Sequence, residues 1–239
     1  MFDLPDIYRI DINVGLKDFI PKDLKLNDKK RIKDAVKSVK LDYQIAGEEI
    51  PSVNNEEYRC LAIQFYDIEV ANIKAANFLA STYQNLIKPL CVIHMHDMKD
   101  EVYSMAIKRL GRTDNMQIVV EQSLITDEYM FGIPDSNRDR FMTYMNYVTV
   151  KNKIDKVQLY KEWFYKAYMI VNEKAYIHTN KLLDSNIWYD SDKTARIYRK
   201  YVELVTSRGK LKTAVTNAER MKLNKEIKTE IRALDDEEI

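Results

Sequence analysis

Two histidines and an aspartate lie close together in the chain, where His94, His96 and Asp97 follow the apolar run PLCVI. Side chains two residues apart on a strand point to the same face, so both imidazoles would be presented together. Imidazole and carboxylate groups are ligands for zinc and related metals. Such a site needs further ligands, and His178 is the one histidine that remains. We therefore predict that His94 and His96 hold no tightly bound metal.

A second candidate is a set of acidic side chains that could hold Mg²⁺: Glu48, Glu49, Asp67 and Glu69. Restriction-endonuclease-like folds bind Mg²⁺ and position water with three side chains. An acidic residue lies on the second core strand, and an acidic residue and a lysine lie two positions apart on the third core strand. The corresponding positions here hold Ala62 and Gln64, which supply neither the acid nor the charge. A Mg²⁺-dependent nuclease remains the alternative hypothesis, and Mg²⁺ is expected as a cofactor under that alternative alone.

The segment EEYRCLAIQFYDIEV (56–70) alternates apolar and polar residues, and the alternation then shifts by one position. The shift predicts a β-bulge near Tyr66. One face of the strand would bury Leu61, Ile63, Phe65, Ile68 and Val70. The other face would expose Gln64, Asp67 and Glu69 to water, because unpaired carboxylates at strand spacing repel each other. Replacing Asp67 and Glu69 by their amides is then expected to leave folding intact.

Basic side chains that could contact nucleic acid occur in the loop KRLGR and on the last helix: Lys108, Arg109, Arg112, Lys222 and Lys225. The net charge of the whole chain is only +1, so no global field attracts it to DNA. Residues 17–40 carry nine Lys or Arg against four Asp. A solvated helix face accounts for such a run more often than a phosphate-binding track does.

Several enzyme classes are excluded by what the chain lacks. Its five glycines lie far apart, whereas a phosphate-binding loop needs several within a few residues. The nucleophile elbow G-x-S-x-G is absent, and two isolated cysteines cannot form a structural zinc site. No apolar run approaches the roughly 18 residues that cross a bilayer. We expect a cytoplasmic protein without membrane contact.

The pattern of apolar residues predicts a mixed α+β chain. Strands and helices alternate up to about residue 125, and residues 137–234, which contain one glycine, read as helices. We predict a mixed α/β domain over 1–130, with a mixed sheet flanked by helices that can be read as a degenerate restriction-endonuclease-like core, and a helical region over 131–239. Gly209 is expected to end one helix. The last, basic amphipathic helix (about 211–234) has a drifting apolar stripe, which predicts that it leaves its own domain to bind a neighbour.

Several segments resemble the bacterial family known as domain of unknown function 4391: FDLP, FIPKDL, YQIAGEEIPSVNNEEYRCLAIQFYDIEV, YSMAIKRL with IVVEQ, and NAERMKLNKEIKTEI. The resemblance spans nearly the whole chain. The family has no established activity, and its genes tend to lie beside helicases and DNA methyltransferases of restriction or phage-defence islands. It tends to have Glu-Ile-Gln where this chain has Ala62-Ile63-Gln64, so the carboxylate expected there is missing.

The resemblance and the missing enzyme signatures together favour a non-catalytic subunit of an antiviral-defence or restriction complex. Its expected partner is a larger helicase, nuclease or methyltransferase subunit, bound through the helical C-terminal region. Direct DNA contact through the basic residues is a further expectation, and its affinity should fall steeply with salt.

Overall fold

The structure is a computed structural model that describes residues 1–22, 24–112 and 117–237. It forms two compact units, Met1–Phe164 and a second that begins at Tyr165. The sequence pattern changes from strands to helices near residue 130, as predicted, but the first unit continues to Phe164 and so includes helical segments. Among the described residues, no helix combines the length and hydropathy needed to cross a bilayer.

The described residues form nine strands: β1 (Arg9–Asn13), β2 (Val36–Ile45), β3 (Val53–Asn54), β4 (Arg59–Cys60), β5 (Ile63–Val70), β6 (Leu90–His96), β7 (Asp100–Leu110), β8 (Ile118–Ile125) and β9 (Tyr129–Met130). The main sheet has the order β1-β2-β5-β6-β7-β8, and β9 pairs with β7 beside β8. β5 and β6 are parallel, and the neighbouring pairs are antiparallel. β3 and β4 form a separate small hairpin.

The described residues also form eight α-helices: α1 (Leu16–Phe19), α2 (Leu26–Ala35), α3 (Ala76–Leu86), α4 (Ser136–Met145), α5 (Lys156–Val171), α6 (Thr179–Leu183), α7 (Ser191–Thr213) and α8 (Asn217–Asp235). In the first unit α3 connects the parallel strands β5 and β6, as a parallel crossover requires. The predicted fold class, a mixed α+β sheet flanked by helices and followed by a helical region, is confirmed.

β5 corrects the predicted bulge near Tyr66. Its parallel register with β6 runs without interruption from Ile63 to Glu69. The irregularity lies in β2, where Leu41 pairs with Tyr66 and Tyr43 pairs with Phe65, so that Asp42 is the extra residue. The prediction was wrong because it assumed that one face of the strand is buried, whereas both faces of β5 are.

The two faces of β5 belong to two different parts of the core. Phe65 contacts the rings of Phe2 and Trp163 on one side. Ile68 and Val70 join a cluster on the other side that includes α2 and α3. The apparent shift in the pattern is thus a change of buried face within a regular strand. Leu61, predicted to be buried, precedes the strand and is 60% exposed.

The second unit contains the hairpin of α7 and α8. Gly209 does not end α7, which continues to Thr213, so that prediction was wrong. α8 begins at Asn217 and buries Leu223, Ile227 and Leu234 within its own unit. Its apolar stripe therefore already has a partner, α7, and this corrects the expectation of a helix that leaves its domain.

Candidate functional site

Three adjacent strands present six polar side chains on one face of the sheet. β5, β6 and β7 pair so that Asp67, His94 and Tyr103 form one row. The next row consists of Glu69, His96 and Glu101. Both rows lie toward the carboxyl ends of the parallel strands, which is where α/β sheets commonly place their sites.

His94 lies between two carboxylates at the centre of this array. Its Nδ1 is 2.6 Å from Asp67 Oδ1, and its Nε2 is 2.6 Å from Glu101 Oε2. The imidazole also stacks on the ring of Tyr103, with 4.7 Å between ring centroids. Both ring nitrogens of this buried side chain are therefore occupied, and neither is available to a metal ion.

Glu101 is the most enclosed member, with no solvent exposure. Its Oε2 also accepts a hydrogen bond of 3.0 Å from the Tyr103 hydroxyl, and its Oε1 accepts one from Arg138 Nε. Arg138 reaches this carboxylate from the first turn of α4, where the Asp135 side chain caps the backbone N–H groups of residues 137 and 138. The cap of α4 thus helps to position Arg138, the second cationic side chain of the cluster, beside Glu101.

His96 forms the more open end of the array. Its Nε2 is 3.6 Å from Asp67 Oδ2, and its ring stacks on Phe131 with 4.2 Å between centroids. Its Nδ1 is buried and has no hydrogen-bond partner among the described protein atoms. His96 lies beside His94, at 5.1 Å between centroids, so the two imidazoles share one face as the strand spacing predicted.

The pKa values of His94, Asp67 and Glu101 each move toward the charged form. Burial opposes the charge on His94, but Asp67 and Glu101 outweigh it and raise the pKa of the imidazole. Burial likewise opposes the charge on Asp67, yet His94 and His96 hold the pKa of that carboxyl well below its usual value. The pKa of Glu101 is lowered in the same way, against burial, by His94 and Arg138. The network therefore has two negative and two positive groups that neutralise one another.

The four carboxylates of the nuclease hypothesis are not brought together. Glu48 and Glu49 are exposed in the turn after β2, and Glu49 accepts a hydrogen bond from the Tyr8 hydroxyl. β2 ends where Ile45 pairs with Ile63, four residues before Asp67. At the rise of a strand, that separation is about 13 Å. Among the described residues, no group of three or more His, Cys, Asp or Glu side chains could hold a metal ion.

The predicted polar face of β5 also needs correction. Asp67 is not simply hydrated, because it belongs to the His94 network. Glu69 is partly exposed and accepts a hydrogen bond of 3.0 Å from Lys37. Gln64 lies on the opposite face of the strand, where it bonds to Gln44 and accepts from the Tyr66 hydroxyl. The sequence pattern missed these contacts because the spacing of residues along one strand does not show which side chains of other segments lie beside it.

The basic candidates differ in their surroundings. Lys108 is buried and donates to the carbonyl oxygens of Ile87 and Pro89 at 2.7 and 3.0 Å. This satisfies the carboxyl end of α3 and removes the ammonium group from any nucleic acid, so Lys108 was wrongly chosen. Arg109 pairs with Glu121, and Arg112 is exposed. In the second unit, Lys222 and Lys225 are exposed on α8.

The family model described as Domain of unknown function (DUF4391) matches residues 2–233. The chain belongs to this family. The match confirms the resemblance noted in the sequence and covers nearly all of both units of this DUF4391 chain. Comparison with curated proteins and with solved structures found no match.

Three members of the cluster in this DUF4391 chain were missed from the sequence: Glu101, Tyr103 and Arg138. The spacing of EVY, with Glu101 and Tyr103 two residues apart after a turn, was the available signal that both face the histidines. Arg138 had no such signal, because its partner lies 37 positions away and they meet only through the packing of α4.

We expect Asp67→Asn in this DUF4391 chain to destabilise the fold more than Glu69→Gln does. Asp67→Asn removes one charge partner of a buried imidazolium and should lower the free energy of unfolding by about 3 kcal/mol. Glu69→Gln loses a largely exposed pair with Lys37, which is worth at most about 1 kcal/mol. Urea unfolding followed by tryptophan fluorescence measures both. Equal effects would mean that the His94 network does not stabilise the chain.

The stability of the chain should have a maximum between about pH 4.3 and 6.5. The raised pKa of His94 makes its contribution complete below about pH 6.5, and that contribution is lost as pH rises through the folded-state pKa. The lowered pKa values of Asp67 and Glu101 make their contribution complete above about pH 4.3, and it is lost as pH falls through the folded-state values.

Urea midpoints should therefore be highest within this pH range and should decline both below and above it. In His94→Gln the decline on the alkaline side should become shallower, while the exposed His178→Gln should keep the original profile. An unchanged alkaline decline in His94→Gln would contradict the assignment of a charged imidazole.

Proposed function

We propose that this chain is a non-catalytic, cytoplasmic subunit of a bacterial antiviral-defence or restriction complex. It acts through protein–protein contacts with a larger helicase, nuclease or methyltransferase subunit and through a contact with DNA. The observation that supports this proposal is that the acidic side chains of the cluster are paired with cationic side chains of the protein. Asp67 and Glu101 are neutralised by His94 and Arg138 within the protein, rather than left open for a metal ion.

The electrostatics of the cluster support a structural role for it. A working Mg²⁺ site needs oxygen ligands with free coordination positions and a group that orients water. Here the imidazole of His94 occupies one oxygen of Asp67 and one oxygen of Glu101. The guanidinium of Arg138 occupies the second oxygen of Glu101. A cation entering this cluster would meet two positive groups already in place.

The genes that lie near members of the family support the kind of partner proposed. The genes that accompany this family tend to encode helicases and DNA methyltransferases, so a subunit without its own chemistry would serve an enzyme encoded nearby. The helical second unit is the part proposed to bind that partner. Along α8 the side facing away from α7 carries exposed Met221, Lys222 and Lys225, which mixes apolar and basic contacts.

Two assays test the proposal. A tagged copy purified from its native host should bring down one stoichiometric helicase, nuclease or methyltransferase subunit, identified by mass spectrometry. The isolated chain should not cleave plasmid DNA with Mg²⁺ or Mn²⁺. The complex carrying Glu49→Gln and Glu69→Gln should keep any activity within a few-fold, because neither side chain belongs to the His94 network.

The opposite results separate the alternatives. Metal-dependent cleavage by the isolated chain that disappears in the Glu49→Gln Glu69→Gln variant would establish the divergent nuclease with a Mg²⁺ cofactor. Purification of the tagged chain as a free monomer, with no partner at stoichiometric amount, would contradict the subunit role.

A further inference from the structure

An open groove of about 470 Å³ lies in the first unit between α2 and the segment that joins β5 to α3. One wall is a face of α2, formed by residues three to four positions apart: Asn27, Lys30, Arg31 and Asp34. The other wall includes Asn72 and Ala75. The groove thus combines two cations, two side-chain amides and one carboxylate over a floor of small residues.

The two cations in the groove are exposed and available to a ligand. Within the described residues, neither Lys30 nor Arg31 pairs with a carboxylate. The guanidinium carbon of Arg31 lies 3.8 Å from the centroid of the Phe78 ring, so the group is in cation–π contact with an aromatic surface. Such a contact helps to position the guanidinium while its N–H groups can still donate to an anion.

Further exposed cations lie near the groove. Lys25 precedes α2, Lys33 lies on it, and Lys74 is beside the opposite wall, so the lysines and arginines of this region outnumber the helix carboxylates Asp28 and Asp34. A helix of 10 residues is about 15 Å long, so cations spread along it can meet more than one phosphate of a strand. Cations spread over this length fit a polyanion better than a single phosphate.

We propose that α2 and the groove beside it bind the sugar–phosphate backbone of a nucleic acid without reading its sequence. Lys30 and Arg31 would contact phosphate oxygens, and Asn27 and Asn72 are side-chain amides of the kind that position such a backbone. This surface deepens the DNA contact of the proposed function and rests on that function for its biological setting. It differs from the basic residues that the sequence suggested, at 108–112 and on α8.

Binding of labelled DNA to the isolated chain tests the surface. Fluorescence anisotropy with a short duplex and a single strand, titrated at salt concentrations from about 50 to 200 mM, gives the affinity and its salt slope. The Lys30→Gln Arg31→Gln variant should bind about tenfold more weakly, with a slope of log K against log salt shallower by about 1.8. Both side chains are exposed, so the variant should unfold at nearly the same urea concentration as the original chain, with only the small loss of the Arg31–Phe78 contact.

The matched control removes the same charge from the second unit. Lys222→Gln Lys225→Gln should leave the affinity and the salt slope nearly unchanged, because both lysines lie on α8. An equal loss in this control would show that net charge alone attracts DNA, and would overturn the proposal. Absence of DNA binding by the original chain would do the same.

Competition distinguishes a nucleic acid from other anions. Unlabelled DNA should displace the labelled duplex at far lower concentration than polyglutamate or inorganic phosphate does. Equal displacement by polyglutamate would identify an acidic protein surface as the ligand and refute the proposal. Loss of the partner subunit in a pull-down, while Lys30→Gln Arg31→Gln still weakens DNA binding, would contradict only the proposed function.

Discussion

Glu101→Gln is expected to lower the free energy of unfolding by about 3–5 kcal/mol. The carboxylate has no solvent exposure and is the common partner of His94, Tyr103 and Arg138. An amide has no negative charge, so the guanidinium of Arg138 would lose its carboxylate partner and the imidazolium of His94 would keep only Asp67. The cost arises from this loss of compensating charge more than from the hydrogen bonds themselves.

The measurement is urea unfolding at neutral pH, and Glu121→Gln is the matched control. Glu121 pairs with Arg109 near the protein surface, so its loss should cost at most about 1 kcal/mol. Adding Arg138→Met to Glu101→Gln should recover part of the lost stability, because it removes one unpaired cation. Equal costs for Glu101→Gln and Glu121→Gln would contradict the arrangement of charges described here.

Trp163→Ala is expected to destabilise the first unit by about 3–5 kcal/mol, because it leaves a large cavity in the core. The indole is fully buried, and its ring lies 5.6 Å from Phe2, 5.7 Å from Phe65 and 6.4 Å from Tyr147 between centroids. These contacts attach the N-terminal segment and β5 to the helix that carries Trp163. Removing the ring should therefore loosen the face of the sheet that also carries the His94 network.

Trp163→Phe is the control for this prediction. The indole Nε1 has no hydrogen-bond partner among the described protein atoms, so phenylalanine keeps much of the packing and removes an unsatisfied donor. We expect it to cost far less than alanine. Circular dichroism should follow unfolding, since the substitutions remove a fluorescent reporter. A loss as large in Trp163→Phe as in Trp163→Ala would mean that packing of the ring is not the cause.

Local sequence patterns predicted correctly those features of the structure that depend on residues close together in the chain. The two-residue period of a strand placed His94 and His96 on one face, because successive side chains alternate whatever lies around them. The change from strands to helices near residue 130, the mixed α+β class and the family were likewise readable from the sequence.

Only the tertiary structure decided what each polar side chain contacts. Asp67 became a partner of His94 because β5 lies parallel to β6, and Glu101 meets Arg138 across 37 positions because α4 packs against the sheet. Lys108 is buried rather than exposed because the end of α3 lies above it. The physical reason is common to all three: burial and ion pairing depend on which segments meet in space, whereas a sequence pattern records only the spacing along one segment.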